Sequence, residues 1–304
     1  MRKKVLFIFN PIAGKAQIQE ALTEILGIFA RAGWDTVVLP TQGPEDAKRW
    51  TQERDAAYSL VVCCGGDGTL DEVASGMMAG NLPPVPVGYL PAGSTNDFAR
   101  SLLIPTDLTE AAAAVVSGSP LSCDIGCMNG EDYFVYVAAF GIFTEVSYET
   151  PQDMKNALGH MAYILKGLQS LSNLHTYHVR VESEEMTFED DFAIGMITNS
   201  RSVGGFKNIT GKYVDLSDGL FEATFIKMPA NPVELNQIIA ALTSQDFDSR
   251  FLYHFQTSRL RVSSQEEIHW TRDGEYGGAH REVVLENRNR ALTLIAPRSG
   301  LETE

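Results

Sequence analysis

The chain is 304 residues long, and its 39 acidic residues against 24 basic ones leave a formal net charge of −15. That excess argues against general nucleic-acid binding, which needs positive surface to displace counterions, and against adhesion to anionic lipid by charge alone. A hydrophobic fraction of 44%, with 9% aromatics, is too high for a disordered chain, and the length admits two domains.

The four cysteines, Cys63, Cys64, Cys123 and Cys127, read as buried reduced thiols, because the first two are adjacent and CDIGC has no matching Cys or His pair nearby. MRKK is followed by five apolar residues only before Asn10-Pro11, too few for a signal peptide. No run approaches the ~18 apolar residues of a membrane span, so a cytoplasmic protein is expected.

KVLFIF (4–9) is an apolar strand ending at Asn-Pro. Ile18, Leu22, Ile25, Leu26, Phe29 and Ala32 then fall at helical spacing before Gly33. DTVVLP (35–40) is a second strand, PEDAKRWTQE (44–53) a helix, SLVVCC (59–64) a third strand and LDEVASGMMAG (70–80) a helix. PVGYLP (86–91) is a fourth strand, with helices from about Asn96 and across Thr109–Val116. Alternation of this kind predicts a parallel sheet covered by helices on both faces. After Gly118 the texture changes to β-rich stretches alternating apolar with polar, such as HTYHVRVES and EIHWTRDGE, which predict antiparallel sheet. Helical segments at Met154–Leu171 and Pro232–Leu242 interrupt it, and ALTLIAP (291–297) closes the pattern.

Three polar, glycine-bearing turns follow three of the N-terminal strands: Asn10-Pro11-Ile12-Ala13-Gly14-Lys15, Gly65-Gly66-Asp67-Gly68-Thr69 and Pro91-Ala92-Gly93-Ser94-Thr95-Asn96-Asp97. In an open α/β sheet such turns line one crevice at the carboxyl ends of the strands. Gly65 and Gly66 let the backbone approach a phosphate, and the start of the next helix suits an anion. Asp67 can hold a magnesium ion or a ribose hydroxyl, and Thr69 offers a hydroxyl. In isolation the pentapeptide also reads as a tight turn with a capping Asp. Asp215 and Asp218, three apart around a turn, make an oxygen-only set suited to a hard cation, or an acidic hairpin. Gly204-Gly205-Phe206-Lys207 reads as a surface loop, with Lys207 or Arg201 near phosphate as the sharper alternative. The six histidines form no tight ligand set.

NPxxG, GGDGTxxEV and PxGTxNDFAR in this order resemble the diacylglycerol kinase catalytic domain, which sphingosine and ceramide kinases share, and most of all the soluble bacterial lipid kinases. GIFTEVSYET, NSRSVGGF, DLSDGLFEATFI and DGE extend the resemblance over nearly the whole chain; GGDGT alone also occurs in NAD kinases and phosphofructokinases. The implied fold is α/β plus mainly β, NAD kinase/diacylglycerol kinase-like. An N-terminal Rossmann-like parallel sheet with flanking helices spans 1–122, which 291–304 can rejoin, and an antiparallel β-sandwich spans 123–290. The resemblance implies ATP and Mg2+ as cofactors, with ATP against Asn10, Thr41, Gly65, Gly66, Asp67, Gly68, Thr69, Leu70 and Asp71, and against Gly93, Ser94, Thr95, Asn96 and Asp97. Glu275 is the implied general base, with Asp67 also catalytic, and Asp215, Asp218 and the Leu220 carbonyl the implied metal ligands. Two departures stand out: Asp71 where the family usually has Asn, and Ser94 where it has Thr. The implied activity is transfer of the ATP γ-phosphoryl to diacylglycerol or a related lipid. An NAD kinase-like small-molecule kinase and a nucleotide-binding regulator without catalysis are the alternatives. Expected partners are the lipid, a transient contact with the inner face of the membrane and a second copy in a homodimer, with no nucleic acid.

Leu158, Met161, Ile164, Leu165 and Leu168 form an apolar stripe that either packs in the core or borders a lipid entrance at the bilayer surface. In the second case, replacing Leu165 and Leu168 with Asp abolishes sedimentation with liposomes in a protein that stays folded; unchanged sedimentation contradicts it.

Overall fold

The computed structural model describes residues 3–94, 96–141, 175–200, 202–203, 206–207, 214–244, 247 and 249–298. Thr95, Arg201, Gly204, Gly205 and the stripe at 154–171 lie outside the described residues. The chain divides into two compact units, residues 1–125 with 289–304, and residues 126–288.

In the first unit the apolar runs become β1 (Lys3–Phe9), β2 (Trp34–Pro40), β3 (Tyr58–Gly65) and β4 (Val87–Pro91). β1 pairs in parallel with β2 and with β3, and β3 pairs in parallel with β4. Val5, Phe7, Ile8, Val61, Val62 and Cys63 are fully buried, which is why these strands carry no polar alternation. All four cysteines are buried thiols outside any disulfide; burial pushes the Cys64 thiol up to about 12 and Cys63 well above its ordinary range.

α1 (Ile18–Arg31) buries Ile18, Ile25 and Phe29, and Phe29 meets Phe7 edge-on with ring centroids 6.2 Å apart. α2 (Asp46–Gln52) starts later than the Pro-first pattern predicts, because Glu45 has φ 67°, a left-handed conformation that ends the preceding turn. α3 (Asp67–Ala79) starts earlier than residue 70. Gly66 in an extended conformation is its N-cap, and Asp67 lies in the first turn against the positive end of the helix dipole. α4 (Asp97–Ser101) is short, and α5 (Leu108–Ser117) is capped by Asp107, whose carboxylate accepts the Thr109 and Glu110 amides.

The last strands of the first unit and the whole sheet of the second come from β5 (Ser119–Met128), β6 (Asp132–Phe134), β7 (Val137–Gly141), β8 (Tyr177–Ser183), β9 (Thr187–Thr198), β10 (Ser202–Val203), β11 (Phe206–Lys207), β12 (Phe221–Lys227), β13 (Leu252–Thr257), β14 (Arg259–Arg272) and β15 (Glu275–Ala296). α6 (Pro232–Ser244) lies between β12 and β13. β9 and β14 are long, and β8 and β7 fill successive lengths of the gap between them, every pair antiparallel. β12 flanks β9, and β13 flanks β12 at the end of the strand order. The 22 residues of β15 pair antiparallel with β14 at their start, while Leu294, near the end, pairs in parallel with Val87 of β4. Hydrogen bonding therefore yields one mixed strand order with extensive antiparallel pairing, where the alternating texture predicts a separate all-parallel sheet. Among the described residues no helix is long and apolar enough to cross a membrane.

The core of the second unit is aromatic. Trp270 meets Phe140 at 5.0 Å between centroids, Phe225 meets Phe192 at 5.5 Å, and Phe188 stacks on Tyr253 at 4.1 Å. Phe225 is fully buried and touches Phe140, Phe188, Phe192 and Phe255. Phe225→Ala is expected to lower stability by about 3–5 kcal/mol in urea unfolding, a lost transfer term plus a cavity. A change below 1 kcal/mol would contradict the cluster as the centre of this core.

Candidate active site

Four loops leave the same edge of the parallel strands because each follows a carboxyl end. The ladder continues past them: Asn10 N–H donates to the Cys64 carbonyl (2.9 Å), Thr41 N–H to Phe9 (2.9 Å) and Ala92 N–H to Gly65 (2.7 Å). Gly14 has φ 53°, and a Cβ there would lie 2.0 Å from the Ala92 carbonyl oxygen, so the first loop packs directly on the fourth. Gly93 is pressed the same way on the third loop, where a Cβ would lie 2.5 Å from the Gly66 Cα. These glycines are required by contact between backbones.

Side chains then lock the crossing. Asn96, buried with φ 52°, accepts the Gly93 amide on Oδ1 (2.9 Å) and donates Nδ2 to the Gly93 carbonyl (2.8 Å). The hydroxyl of the fully buried Tyr89 lies 3.4 Å from Asn96 Oδ1 and 3.5 Å from Asp67 Oδ1, within reach of either. Asp67 Oδ2 accepts the Asp97 amide (3.1 Å), tying the start of α3 to the start of α4. Asn10 Oδ1 accepts the Ile12 amide (3.1 Å) and shapes its own turn. Thus Asn10, Thr41, Gly65, Gly66, Asp67, Gly93, Ser94, Asn96 and Asp97 all sit on loops at one strand edge or in the first turn after it. Gly68, Thr69, Leu70 and Asp71 belong to α3: Leu70 is core, and the buried Thr69 side chain packs over Gly65. Asp97 is buried, Ser94 is exposed, and Asp67 and Asp71 are half-buried.

Two acids in this unit have no role in the sequence reading: Glu72, the Glu of GGDGTxxEV, and Asp124. Glu72 accepts the Glu45 amide (3.0 Å) and the Ala47 amide (3.1 Å), so α3 holds the loop that carries Thr41. Burial pushes its carboxyl up, against the pull of those amides. Asp124, fully buried, accepts the Arg290 amide (2.6 Å) and Asn289 Nδ2 (3.2 Å), fastening the returning end of the chain. Their signal was an acid inside an apolar run, which a single sequence does not separate from a surface turn.

In the second unit Glu275 is exposed at the start of β15, one residue beyond the Asp273-Gly274 turn. Asp273 is buried and its carboxylate accepts three consecutive amides, from Val135 (2.5 Å), Tyr136 (3.0 Å) and Val137 (2.9 Å). Asp215 and Asp218 are exposed on one turn, where Asp215 Oδ1 accepts from Ser217 N–H and Oγ (each 2.9 Å) and Asp218 Oδ1 accepts the Leu220 amide (2.9 Å). The turn thus presents two exposed carboxylates, oxygen donors of the kind a hard divalent cation takes, and among the described residues no third acid, His or Cys joins them. Two strand positions on, the buried Glu222 accepts from Gln256 Nε2 (2.8 Å), and its Oε2 lies 3.5 Å from His254 Nε2. Burial, with the Asp218 charge adding to it, pushes the Glu222 carboxyl up to about 7 despite the Gln256 bond.

Comparison with known proteins gives this arrangement a setting. Residues 4–128 match the diacylglycerol kinase catalytic domain. A diacylglycerol kinase of Bacillus subtilis is 33% identical over 303 residues, covering 99% of this chain and 98% of that protein. One from Staphylococcus carnosus is 34% identical, covering 100% and 98%. The crystal structure of a diacylglycerol kinase from Bacillus anthracis shares the fold, with TM-score 0.76 at 23% identity and 98% of each chain covered.

The Asn96 lock is testable by separating backbone strain from side-chain bonding. Asn96→Gly keeps the left-handed φ and loses both bonds to Gly93, at about 1–3 kcal/mol; Asn96→Ala adds about 1–2 kcal/mol of strain. Equal thermal stabilities for the two variants and wild type would contradict the lock.

Proposed function

We propose, since this chain belongs to the diacylglycerol kinase family, that it transfers the γ-phosphoryl group of ATP to the free hydroxyl of diacylglycerol or a closely related neutral lipid. The observation that carries the nucleotide half is the contact of the third and fourth loops at Gly66 and Gly93, which brings two glycine backbones and the start of α3 to one place. Backbone amides at a helix start, beside residues without side chains, are what a polyphosphate needs. On this reading Gly65 to Asp71, with Gly93, Ser94, Asn96 and Asp97, take the ATP phosphates, and Asn10 and Thr41 flank them. Thr95, outside the described residues, belongs to the same loop. Asp67 orients this region through the Asp97 amide.

Glu275 is the proposed general base. Its exposed carboxylate accepts the proton of the lipid hydroxyl as that oxygen attacks the γ-phosphorus, and ADP departs with the bridging oxygen. Little covalent chemistry is asked of the protein, because phosphoryl transfer depends mainly on alignment and charge stabilisation. Asp215, Asp218 and the Leu220 carbonyl would hold one Mg2+, and Asp67 and Asp97 would anchor a second indirectly. The first would lie outside the transfer centre, and the ion near Asp67 and Asp97 would supply positive charge that offsets the phosphate oxygens.

The same proposal includes a transient meeting with the membrane surface, since the acceptor resides there, and a homodimer through an edge strand such as β13. The first unit is then the nucleotide domain and the second the acceptor domain.

The test is radiolabelled γ-phosphate transfer from ATP with magnesium to dioleoylglycerol in mixed micelles. Wild type is expected to label the lipid, and Glu275→Gln to lower kcat by about 10²–10⁴-fold with ATP binding retained. Labelling of NAD instead of lipid, or a Glu275→Gln rate equal to wild type, would contradict the proposal.

A further inference from the structure

Among the described residues the Glu275 carboxylate makes no hydrogen bond, so its position is set through its backbone alone. That backbone leaves a two-residue hairpin loop, Asp273 with φ 48° and Gly274 with φ 86°, closed by the Arg272–Glu275 pair of β14 and β15. Two left-handed residues of this kind make the tight turn that an Asn-Gly or Asp-Gly pair forms unaided. The hairpin therefore does not need a buried charge at Asp273, yet Asp273 is 4% exposed and ionised carboxylates are costly to bury without partners.

The partners are the strap between β6 and β7. Its three amides, from Val135, Tyr136 and Val137, all point at the Asp273 carboxylate, and the Asp273 amide returns a bond to the Val137 carbonyl (2.9 Å). Arg272 grips the residues just before: Nη1 donates to the Tyr133 carbonyl (3.0 Å), and Nη2 pairs with Asp132 at 3.3 Å. A cation holds the carbonyl and carboxylate of 132–133, and the adjacent anion holds the amides of 135–137. Charge-assisted bonds of this kind are about twice as strong as neutral ones and directional, so the turn cannot pivot without breaking several at once.

We propose that Asp273, assisted by Arg272, is the positioning residue of Glu275: it fixes the hairpin turn to the β6–β7 strap and so fixes where the base stands. This rests on the reading of Glu275 as base. The role differs from fold maintenance because its loss lowers the rate through Glu275 in a protein that stays folded, and a misplacement of about 1 Å costs on the order of 100-fold in rate.

Asp273→Asn is the informative variant, since Asn tolerates the left-handed φ and keeps one acceptor oxygen, while its NH2 faces the Val135 amide. With ATP, magnesium and dioleoylglycerol micelles, we expect kcat to fall about 10-fold or more, with the KM for ATP unchanged within about twofold. Amide exchange at Val135, Tyr136 and Val137 should quicken. Combined with Glu275→Gln, the same change should cost little further, because the group it positions is already gone. Losses that multiply in the double variant, or an unchanged kcat in Asp273→Asn, overturn the proposal. If Glu275→Gln alone keeps the wild-type rate, the base reading fails and this inference with it; if Glu275→Gln collapses while Asp273→Asn does not, only the positioning role fails. Should Asp273→Asn unfold, Arg272→Met releases only Tyr133 and Asp132 and is held to the same outcomes.

Discussion

The backbone contact between Gly66 and Gly93 is the constraint on which the first unit depends. A Cβ on Gly93 would sit 2.5 Å from the Gly66 Cα, so no side chain fits between the third and fourth loops. Everything around the contact serves it: the Gly65 carbonyl takes the Ala92 amide, Asn96 closes on Gly93, and Asp67 bridges to the Asp97 amide. The result is two helix starts and two bare stretches of backbone held together before any ligand arrives. Preorganised donors of this kind need no rearrangement when negative charge enters or develops, which is where electrostatic catalysis gains most.

The second unit meets a different demand by a related device. Glu275 is exposed, and among the described residues its carboxylate makes no hydrogen bond. The turn that carries it is held two and three residues back, by the buried Asp273 carboxylate and by Arg272, which read the two polarities of one backbone strap. In both units a short accessible stretch of backbone is held by groups that are buried or half-buried. The aromatic core under β7, β9, β12 and β14 gives those anchors a rigid floor.

Much of this was legible in the sequence, for definite reasons. Unbroken apolar runs such as KVLFIF mark strands buried on both faces, and β1 is one. Glycine turns after those runs mark the strand edge where the loops gather. The helix at GGDGT was read as starting at Leu70 and starts at Asp67, because glycine weakens helical propensity in isolation while Gly66 here caps the helix and Asp67 meets its dipole. Asp273 was readable only as a turn residue: its three amide partners lie about 140 residues away in the chain, and no local pattern announces them. Glu72 and Asp124 were hidden likewise, being acids whose partners are backbone amides of distant segments. Of the 22-residue β15, which pairs with β14 and then with β4, the sequence reading names only the end, ALTLIAP (291–297), because the polar stretch before it does not alternate cleanly.

The central claim is that ATP binds where the third and fourth loops meet, and amide hydrogen exchange tests it most directly. Adding a non-hydrolysable ATP analogue with magnesium should slow exchange at Gly65 to Thr69 and at Gly93 to Asp97, and leave the β8–β9 hairpin unchanged. Nucleotide that binds while those two loops exchange at their free rates, with protection elsewhere, would contradict it.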